Sequence, residues 1–174
     1  RFGNFWSAGV AWNISEEGFL AEINNIDNVR LRASYGLSGS SAIGINQYQA
    51  LLGYDRSYAN EGAVYPKQIG NPDLTWEKNK NFDIGIDYAF LDGRLKGSAA
   101  YFNKNTYDLL QMVPLSRTMG HESMMMNVGS MVNKGFEFVV QGDIIRSSGL
   151  NLNIGLNLAT VNNEVTALAT DASG

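Results

Sequence analysis

The feature that most constrains this chain is a strict alternation of residue types between residues 150 and 159. Leucine or isoleucine stands at every even position, and asparagine, glycine or alanine stands at every odd position. A two-residue period is that of a β-strand with one apolar and one polar face. About ten residues rising about 3.3 Å each, at a tilt of about 40°, span roughly 25 Å, which is the height of the apolar band of an outer-membrane barrel.

Other stretches show the same alternation and predict further strands. Their apolar faces are made by residues of one parity, in the ranges 6–14, 29–35, 82–90 and 136–140. A further strand is predicted over 95–107, although its two faces are poorly separated because lysines share a parity with apolar residues. The sequence therefore predicts six strands.

The connections between these predicted strands alternate between short and long. Asp92-Gly93 is a strong hairpin signal, and residues 146–149 make another short turn. The segments 37–75 and 106–127 lack periodicity and are predicted to be long irregular loops. Short turns at one rim and long loops at the other are typical of outer-membrane barrels, whereas the connections of a Greek-key sandwich cross between sheets.

The predicted fold class is all-β: an antiparallel up-and-down transmembrane β-barrel. Six strands are too few to close such a barrel, which needs at least about eight, and an open sheet would leave bare edges in hydrocarbon. The chain is therefore interpreted as a segment of about six strands from a larger barrel.

Composition narrows the possible functions. The net charge is −4, 17% of residues are charged and no basic stripe is present, so nucleic acid is not an expected partner. The absence of cysteine excludes a disulfide scaffold and thiolate metal sites. No apolar run of about 18 residues is present for a membrane helix, and the first residues do not resemble a signal peptide.

Candidate catalytic and metal-binding groups all have simpler interpretations. His121 lies near the methionines 124–126, but a lone histidine in a loop is expected to pack rather than to bind a soft metal. Asp83 and Asp87 share a strand face, and carboxylates act as acid and base only within a pocket, so a hydrated wall is expected. We therefore predict no catalytic residue, no metal and no cofactor.

Several blocks of sequence resemble motifs of the SusC/RagA-type TonB-dependent transporters, in the order in which that family has them. They are FWSAGVAWNISEEGFL at 5–20, VRLRASYGLSG at 29–39, GNPDLTWE at 70–77, NVG at 127–129 and NKGFE at 133–137. Trp6, Gly9 and Ser40-Ser41 depart from the residues usual in the family. The blocks are distributed from residue 5 to residue 137, a range that takes in most of the chain.

This resemblance implies a barrel of about 22 strands, filled by an N-terminal plug, in the outer membrane of a Bacteroidetes-type bacterium. It implies import of oligosaccharides or peptides driven by the TonB complex, with a SusD-like surface lipoprotein as a lid and outer-membrane lipid around the wall. Residues 1–174 would be part of the barrel domain, without the plug and the TonB box. Two alternatives remain: a siderophore or vitamin receptor of the same type, and a secreted soluble carbohydrate-binding β-sandwich.

Two sets of residues are candidates for site roles. Aromatic rings stack on sugars, so the tyrosines of the first long loop are predicted to form a ligand or lid surface, with packing of the loop as the alternative: Tyr48, Tyr54, Tyr58 and Tyr65. The motif residues are predicted to be structural: Asn71, Pro72, Asp73, Trp76, Glu77, Asn133, Lys134, Gly135, Phe136 and Glu137. Lys134 is expected to face lipid at a strand end, and Glu137 to face inward within reach of Arg30 or Arg32.

Overall fold

The computed structural model describes residues 3–21, 23, 25–41 and 44–168. Within these ranges the chain is almost entirely β-structure. The strands are β1 (Trp6–Asn13), β2 (Ile26–Ser40), β3 (Leu51–Tyr58), β4 (Glu61–Gln68), β5 (Glu77–Phe90), β6 (Leu95–Tyr107), β7 (Leu110–Pro114), β8 (Ser123–Asn127), β9 (Ser130–Arg146) and β10 (Asn151–Ala167). One short helix, α1 (Gly18–Ala21), and two 3₁₀ turns (Ile14–Glu16 and Arg117–Met119) complete the described structure. No helix in these ranges has the length and hydropathy needed to cross a membrane.

Six long strands form one sheet in the order β1-β2-β5-β6-β9-β10, and every neighbouring pair is antiparallel. The other strands form two separate hairpins, β3–β4 and β7–β8, inserted between consecutive wall strands. We call the six-stranded sheet the wall. Its strands follow one another in chain order, which confirms the predicted up-and-down arrangement and excludes the two packed sheets of a β-sandwich within the described residues.

The two rims of the wall differ sharply. One rim carries the segment 14–25 and the short turns 91–94 and 147–150. The other carries the segments 41–76 and 108–129, which contain the two hairpins. We call this second rim the long-loop rim. The asymmetry agrees with the alternation predicted from the sequence and with the rims of outer-membrane barrels.

The register assigns each residue of the wall to one of two faces. Paired residues in neighbouring strands point to the same side, so each face can be followed from strand to strand. One row of the apolar face contains Trp12, Leu31, Ile86, Ala99, Phe138 and Leu158. One row of the opposite face contains Ala11, Arg32, Gly85, Ala100, Glu137 and Ala159. We call these the outer and the inner face.

Strand β6 is where the sequence pattern gave no clear facing, and its register resolves the ambiguity. Tyr101 pairs with Ile84 and Phe136, so the odd residues of β6 lie on the outer face. Lys96 and Lys104 therefore lie on the inner face, together with the ring of Phe102. The inner placement of the two lysines is expected, because a charge on the lipid face of a barrel is costly.

The apolar band of the outer face runs obliquely across the rows of paired residues. Towards the long-loop rim its last apolar residue is Trp6 in β1 but Leu158 in β10, and Leu158 belongs to the row of Trp12. From β1 to β10 the edge of the apolar band therefore shifts along the strands by about six residues, or roughly 20 Å. The same two strands are five interstrand spacings of about 4.8 Å apart. The ratio of the two distances corresponds to a strand tilt of roughly 40°. Strands of transmembrane barrels tilt by a similar angle, so the band itself would lie level in a membrane.

Burial separates the wall from the long-loop rim. On the outer face Val10, Ile154 and Leu158 are 67%, 56% and 61% exposed. At the long-loop rim Leu74 and Val113 are only 2% and 3% exposed, and they are the buried apolar side chains among the described residues. The wall therefore has no protein core of its own in this chain, as a lipid-facing sheet requires.

Both segments predicted as irregular loops contain hairpins, and those predictions are wrong. The β3–β4 turn is formed by Ala59 and Asn60, both with positive φ (51° and 65°). Such two-residue turns usually show an Asn-Gly or Asp-Gly signal, and alanine at the first position gives none. Register shifts in β3–β4, between Leu51 and Leu52 and between Gly53 and Arg56, also break the two-residue period by which strands are recognised.

Candidate functional site

The long-loop rim holds the GNPDLTWE motif, both hairpins and all four candidate tyrosines, so it is the candidate functional site. Its irregular backbone is held mainly by amide side chains. Asn71, which is 7% exposed, accepts a hydrogen bond from the backbone N–H of Asp73 (3.0 Å), closing a turn around Pro72. The Asn71 Nδ2 donates to the carbonyl oxygen of Met125 in β8 (2.8 Å), which ties the turn to the second hairpin.

Asn127 makes the most extensive of these contacts. Its Oδ1 accepts a hydrogen bond from the backbone N–H of Thr75 (2.6 Å). Its Nδ2 donates to the carbonyl oxygens of Thr75 (2.9 Å) and Asp108 (2.9 Å). Asn127 thus takes the place of a strand partner for residue 75 and fixes the end of β8 against the start of β5. Asn127 belongs to the NVG block of the family-like motifs, and no role was predicted for it.

Three further contacts lie where the wall meets the long-loop rim. Glu77 Oε1 accepts a hydrogen bond from the backbone N–H of Leu110, the first residue of β7 (3.0 Å). Lys78 forms an ion pair with Asp108 (Nζ to Oδ2, 2.8 Å). Trp76 packs against Phe5, with ring centroids 5.6 Å apart. Asn71 and Glu77 therefore hold the β7–β8 hairpin in one docked assembly, whereas the contact of Trp76 is to Phe5, just before β1.

The Asn133–Glu137 block lies within β9 rather than at the long-loop rim. Asn133 accepts a hydrogen bond from Asn163 of β10 on the inner face. Gly135 also faces inward, and a Cβ atom there would lie 2.0 Å from the backbone oxygen of Thr160 in β10 and 2.8 Å from the ring of Phe102, so this position has no room for a side chain. Phe136 packs against Tyr101 on the outer face, with ring centroids 4.9 Å apart.

Two expectations for this block need correction. Lys134 does lie on the outer face, but β9 begins at Ser130, so Lys134 is inside the strand and not at its end. Glu137 does face inward, but three interstrand spacings, or roughly 14 Å, separate its backbone from that of Arg32 in the same row. Arg32 pairs instead with Asp87 (Nε to Oδ2, 3.4 Å).

The four candidate tyrosines are not gathered into one cluster. Tyr54 and Tyr58 lie on β3 and are 72% and 82% exposed. Tyr65 lies on β4, where its hydroxyl donates to Asp55 (2.7 Å) and its ring receives the guanidinium of Arg56 (4.2 Å to the centroid). Tyr48 precedes the hairpin and is 50% exposed. Tyr65 thus packs within its own hairpin, whereas the rings of Tyr54 and Tyr58 project from it.

The Tyr65–Asp55 contact alters the ionisation of both groups. The hydrogen bond from Tyr65 stabilises the carboxylate and lowers the pKa of Asp55 below its usual value. The same bond stabilises the neutral phenol and raises the pKa of Tyr65 above its usual value. Both groups are exposed to solvent, so screening limits the strength of this contact.

Tyr48 lines a cavity at the base of the first hairpin. The cavity has a volume of about 390 Å³, and its wall includes Leu74, Thr75, Trp76 and Asn46. An aromatic ring, an indole and several amide and hydroxyl groups around one opening are suited to a polar ligand with apolar faces, such as a sugar ring or a peptide. The Trp76 indole thus lines this cavity and also packs against Phe5.

The inner face of the wall is polar. Arg32, Asp83, Asp87, Lys96 and Lys104 are spread over β2, β5 and β6 on this face. No group of three or more histidine, cysteine, aspartate or glutamate side chains that could hold a metal ion occurs in the described part of the chain. The methionines 124–126 form most of β8 rather than part of an irregular loop.

These observations define a class of protein: a segment of tilted, antiparallel barrel wall, with an apolar outer face, a polar inner face and elaborated loops at one rim. Comparison with known proteins identifies the family. The family model for the TonB dependent receptor-like β-barrel matches residues 2–174. The chain therefore belongs to the TonB-dependent receptor β-barrel family, as the sequence motifs indicated.

Individual relatives agree with this assignment. The chain is 34% identical over 168 residues to the TonB-dependent receptor P39 of Formosa agariphila, covering 97% of this chain and 16% of that protein. It is 32% identical to the TonB-dependent receptor SusC of Bacteroides thetaiotaomicron, covering 97% of this chain and 18% of SusC. A solved structure of the RagAB peptide transporter superposes with a TM-score of 0.83 at 32% identity, covering 97% of this chain and 19% of the matched chain. The chain thus spans less than one fifth of the length of each.

Proposed function

We propose that the protein containing this chain is an outer-membrane transporter that imports oligosaccharides or peptides with energy from the TonB complex. The observation that carries the proposal is the match over residues 2–174 to a family in which one relative is named SusC and a similar structure is that of a peptide transporter. The polar inner face is consistent with a hydrated path, and no catalytic role is assigned to any residue.

In this proposal residues 1–174 form about six strands of a barrel of about 22, and the plug and the TonB box belong to the rest of the protein. The long-loop rim faces the outside of the cell, because the elaborated loops of outer-membrane barrels do so. A SusD-like lipoprotein covers the barrel from that side. The docked β7–β8 hairpin and the projecting β3–β4 hairpin supply surfaces at the rim for such a lid.

The experiment that tests the proposal is removal of the complete gene from the native bacterium. We expect loss of growth on one class of oligosaccharide or peptide as the only carbon source, and normal growth on the corresponding monosaccharides or amino acids. Loss of the TonB complex should give the same defect. Normal growth on all of these nutrients, with a defect only under iron or vitamin limitation, would instead favour the siderophore or vitamin alternative.

Within this proposal Tyr48, Tyr54 and Tyr58 contact the incoming ligand or the lid. Replacing all three by alanine should raise the apparent KM for uptake by at least about tenfold, since three stacked rings at about 0.5 to 1.5 kcal/mol each contribute about 1.5 kcal/mol or more. Tyr101→Ala, which removes a ring of the same size from the outer face, is the matched control. An unchanged apparent KM in the triple variant, at equal surface expression, would show that these rings do not contact the ligand.

A further inference from the structure

The outer face changes character where the apolar band ends towards the long-loop rim. On β5 the first residue beyond Phe82 is Lys80, on β6 the first beyond Tyr101 is Asn103, and on β9 the first beyond Phe136 is Lys134. Asn103 pairs directly with Lys134. Two ammonium groups with an amide between them therefore lie along the line at which the tilted band meets the membrane interface.

An aromatic cavity lies immediately beyond this line. Its volume is about 250 Å³, and its walls include Phe5, Leu37, Trp76, Lys78 and Tyr107. Leu37, Lys78 and Tyr107 belong to the outer face, because Lys78 pairs with Tyr107 and Leu37 pairs with Lys80. Ser38, which also lines the cavity, belongs to the inner face, so the cavity lies at the end of the wall and meets the outer face just beyond the apolar band.

The cations and the aromatic wall are coupled. Lys80 Nζ lies 4.9 Å from the centroid of the Tyr107 ring, and Lys78 Nζ lies 5.6 Å from the same centroid. Lys78 is also paired with Asp108, whereas no carboxylate lies within ion-pair distance of Lys80 or Lys134 among the described residues. Glu164 lies on the outer face of β10, one strand beyond Lys134. Lys80 and Lys134 thus remain available to an anion.

The chemical groups on this surface indicate which kind of ligand it binds. Ammonium groups at an interface attract phosphate, and aromatic walls pack against the apolar faces of a sugar ring. A cavity of 250 Å³ is smaller than the sites that hold drug-sized ligands, so it suits a single ring. The apolar band directly below, beginning with Leu37 and Phe82, would accept acyl chains. A phosphorylated sugar carrying acyl chains uses all three features together.

We infer that the outer face at Lys80, Lys134 and the Phe5–Trp76–Tyr107 cavity is a binding site for the phosphorylated sugar headgroup of a glycolipid of the outer leaflet. The inference rests on the proposed outer-membrane location but not on the identity of the imported nutrient. The bound lipid would hold the ends of β5, β6 and β9 that lie next to the long-loop rim at a fixed depth in the membrane.

The test uses the full-length protein in phosphatidylcholine nanodiscs, titrated with purified lipopolysaccharide. The Lys80→Gln/Lys134→Gln variant should bind roughly thirtyfold more weakly than wild type, because each lysine near an anionic headgroup contributes about a fivefold factor. Lys96→Gln/Lys104→Gln, which removes two exposed lysines from the inner face, should stay within about twofold. Equal affinity of the outer-face variant and wild type, or an equal loss in the control, would overturn the inference.

Two further arms identify the source of the phosphate. Enzymatically dephosphorylated lipopolysaccharide should bind about as weakly as the outer-face variant does. Inorganic phosphate at about 10 mM should not displace the bound lipid, since it lacks the ring and the acyl chains. Displacement would mean that the surface is a free-phosphate site and would overturn the lipid assignment. Nutrient uptake by the wild type is measured separately, so failure of the transport proposal is distinguishable from failure of this one.

Discussion

The wall and the long-loop rim of this chain are stabilised by opposite arrangements of apolar residues. In the wall, apolar side chains such as Ile154 (56% exposed) point outward, and backbone ladders join neighbouring strands, with β1 and β10 paired on one side only. In the long-loop rim, Leu74 and Val113 are buried and asparagine side chains complete the backbone hydrogen bonding of irregular segments. The comparison shows that the wall depends on lipid for burial, whereas the rim carries a small core of its own.

The largest predicted effect concerns the outer face of the wall. Ile154→Arg in the full-length barrel should cost roughly 2 to 4 kcal/mol of stability, because an arginine near the middle of the lipid face is poorly solvated. Asn153→Arg is the matched control on the inner face, where Asn153 now donates to Asp143 (2.6 Å) and an arginine would keep a carboxylate partner. Both are measured by urea unfolding in the same lipid. Equal costs would show that the two faces are assigned wrongly.

The next effect concerns the long-loop rim. Asn127→Ala should cost about 2 to 3 kcal/mol of local stability, because it leaves the backbone groups of Thr75 and the carbonyl of Asp108 without their partner. The loss should appear as faster hydrogen exchange of the β7–β8 amides, with β5 and β6 protection unchanged. Asn105→Ala, on the outer face of β6, should leave exchange in β7–β8 as it is. If β7–β8 exchange were unaffected by Asn127→Ala, the rim would not depend on this amide.

The smallest effect concerns the projecting β3–β4 hairpin and depends on pH. Because the pKa of Asp55 is lowered, its contact with Tyr65 contributes fully above the usual aspartate range and is lost as pH falls through the lowered pKa. Because the pKa of Tyr65 is raised, the contact is lost at high pH as the phenol ionises. A chemical-shift titration of labelled Tyr65 should therefore be flat between roughly pH 5 and pH 9. The control is Asp55→Asn, which removes the carboxylate that Tyr65 contacts and should abolish the acid step of Tyr65.

A step in the Tyr65 titration near neutral pH would contradict the assigned contact. So would an unchanged acid step of Tyr65 in the Asp55→Asn variant, since that variant lacks the carboxylate that accepts the Tyr65 hydrogen bond. A small effect of pH on the β3–β4 hairpin and a large effect of Asn127→Ala on the β7–β8 hairpin would show that the second hairpin is bound more strongly to the wall than the first.

Prediction from sequence worked where a local pattern carries the information. The alternation in β5 fixed which residues face lipid, and Asp92 lies in the tight turn that was expected there, with positive φ (55°). It failed at β3–β4 and β7–β8, since bulges disrupt the period of the first hairpin and the second consists of strands too short to show one. The role proposed for the four tyrosines stays a prediction, because their placement alone does not identify a ligand.

The sequence by itself determined the faces of most wall strands, the positions of the two short turns between wall strands and, through its motifs, the family. These properties depend on residues close together in the chain, whose side-chain period follows from backbone geometry alone. Only the tertiary structure decided the tilt of the band, the pairing of Arg32 with Asp87 and the hydrogen bonds of Asn127 to Thr75. These join residues that are 52 or more positions apart, so they depend on strand register and loop closure, which no local pattern encodes.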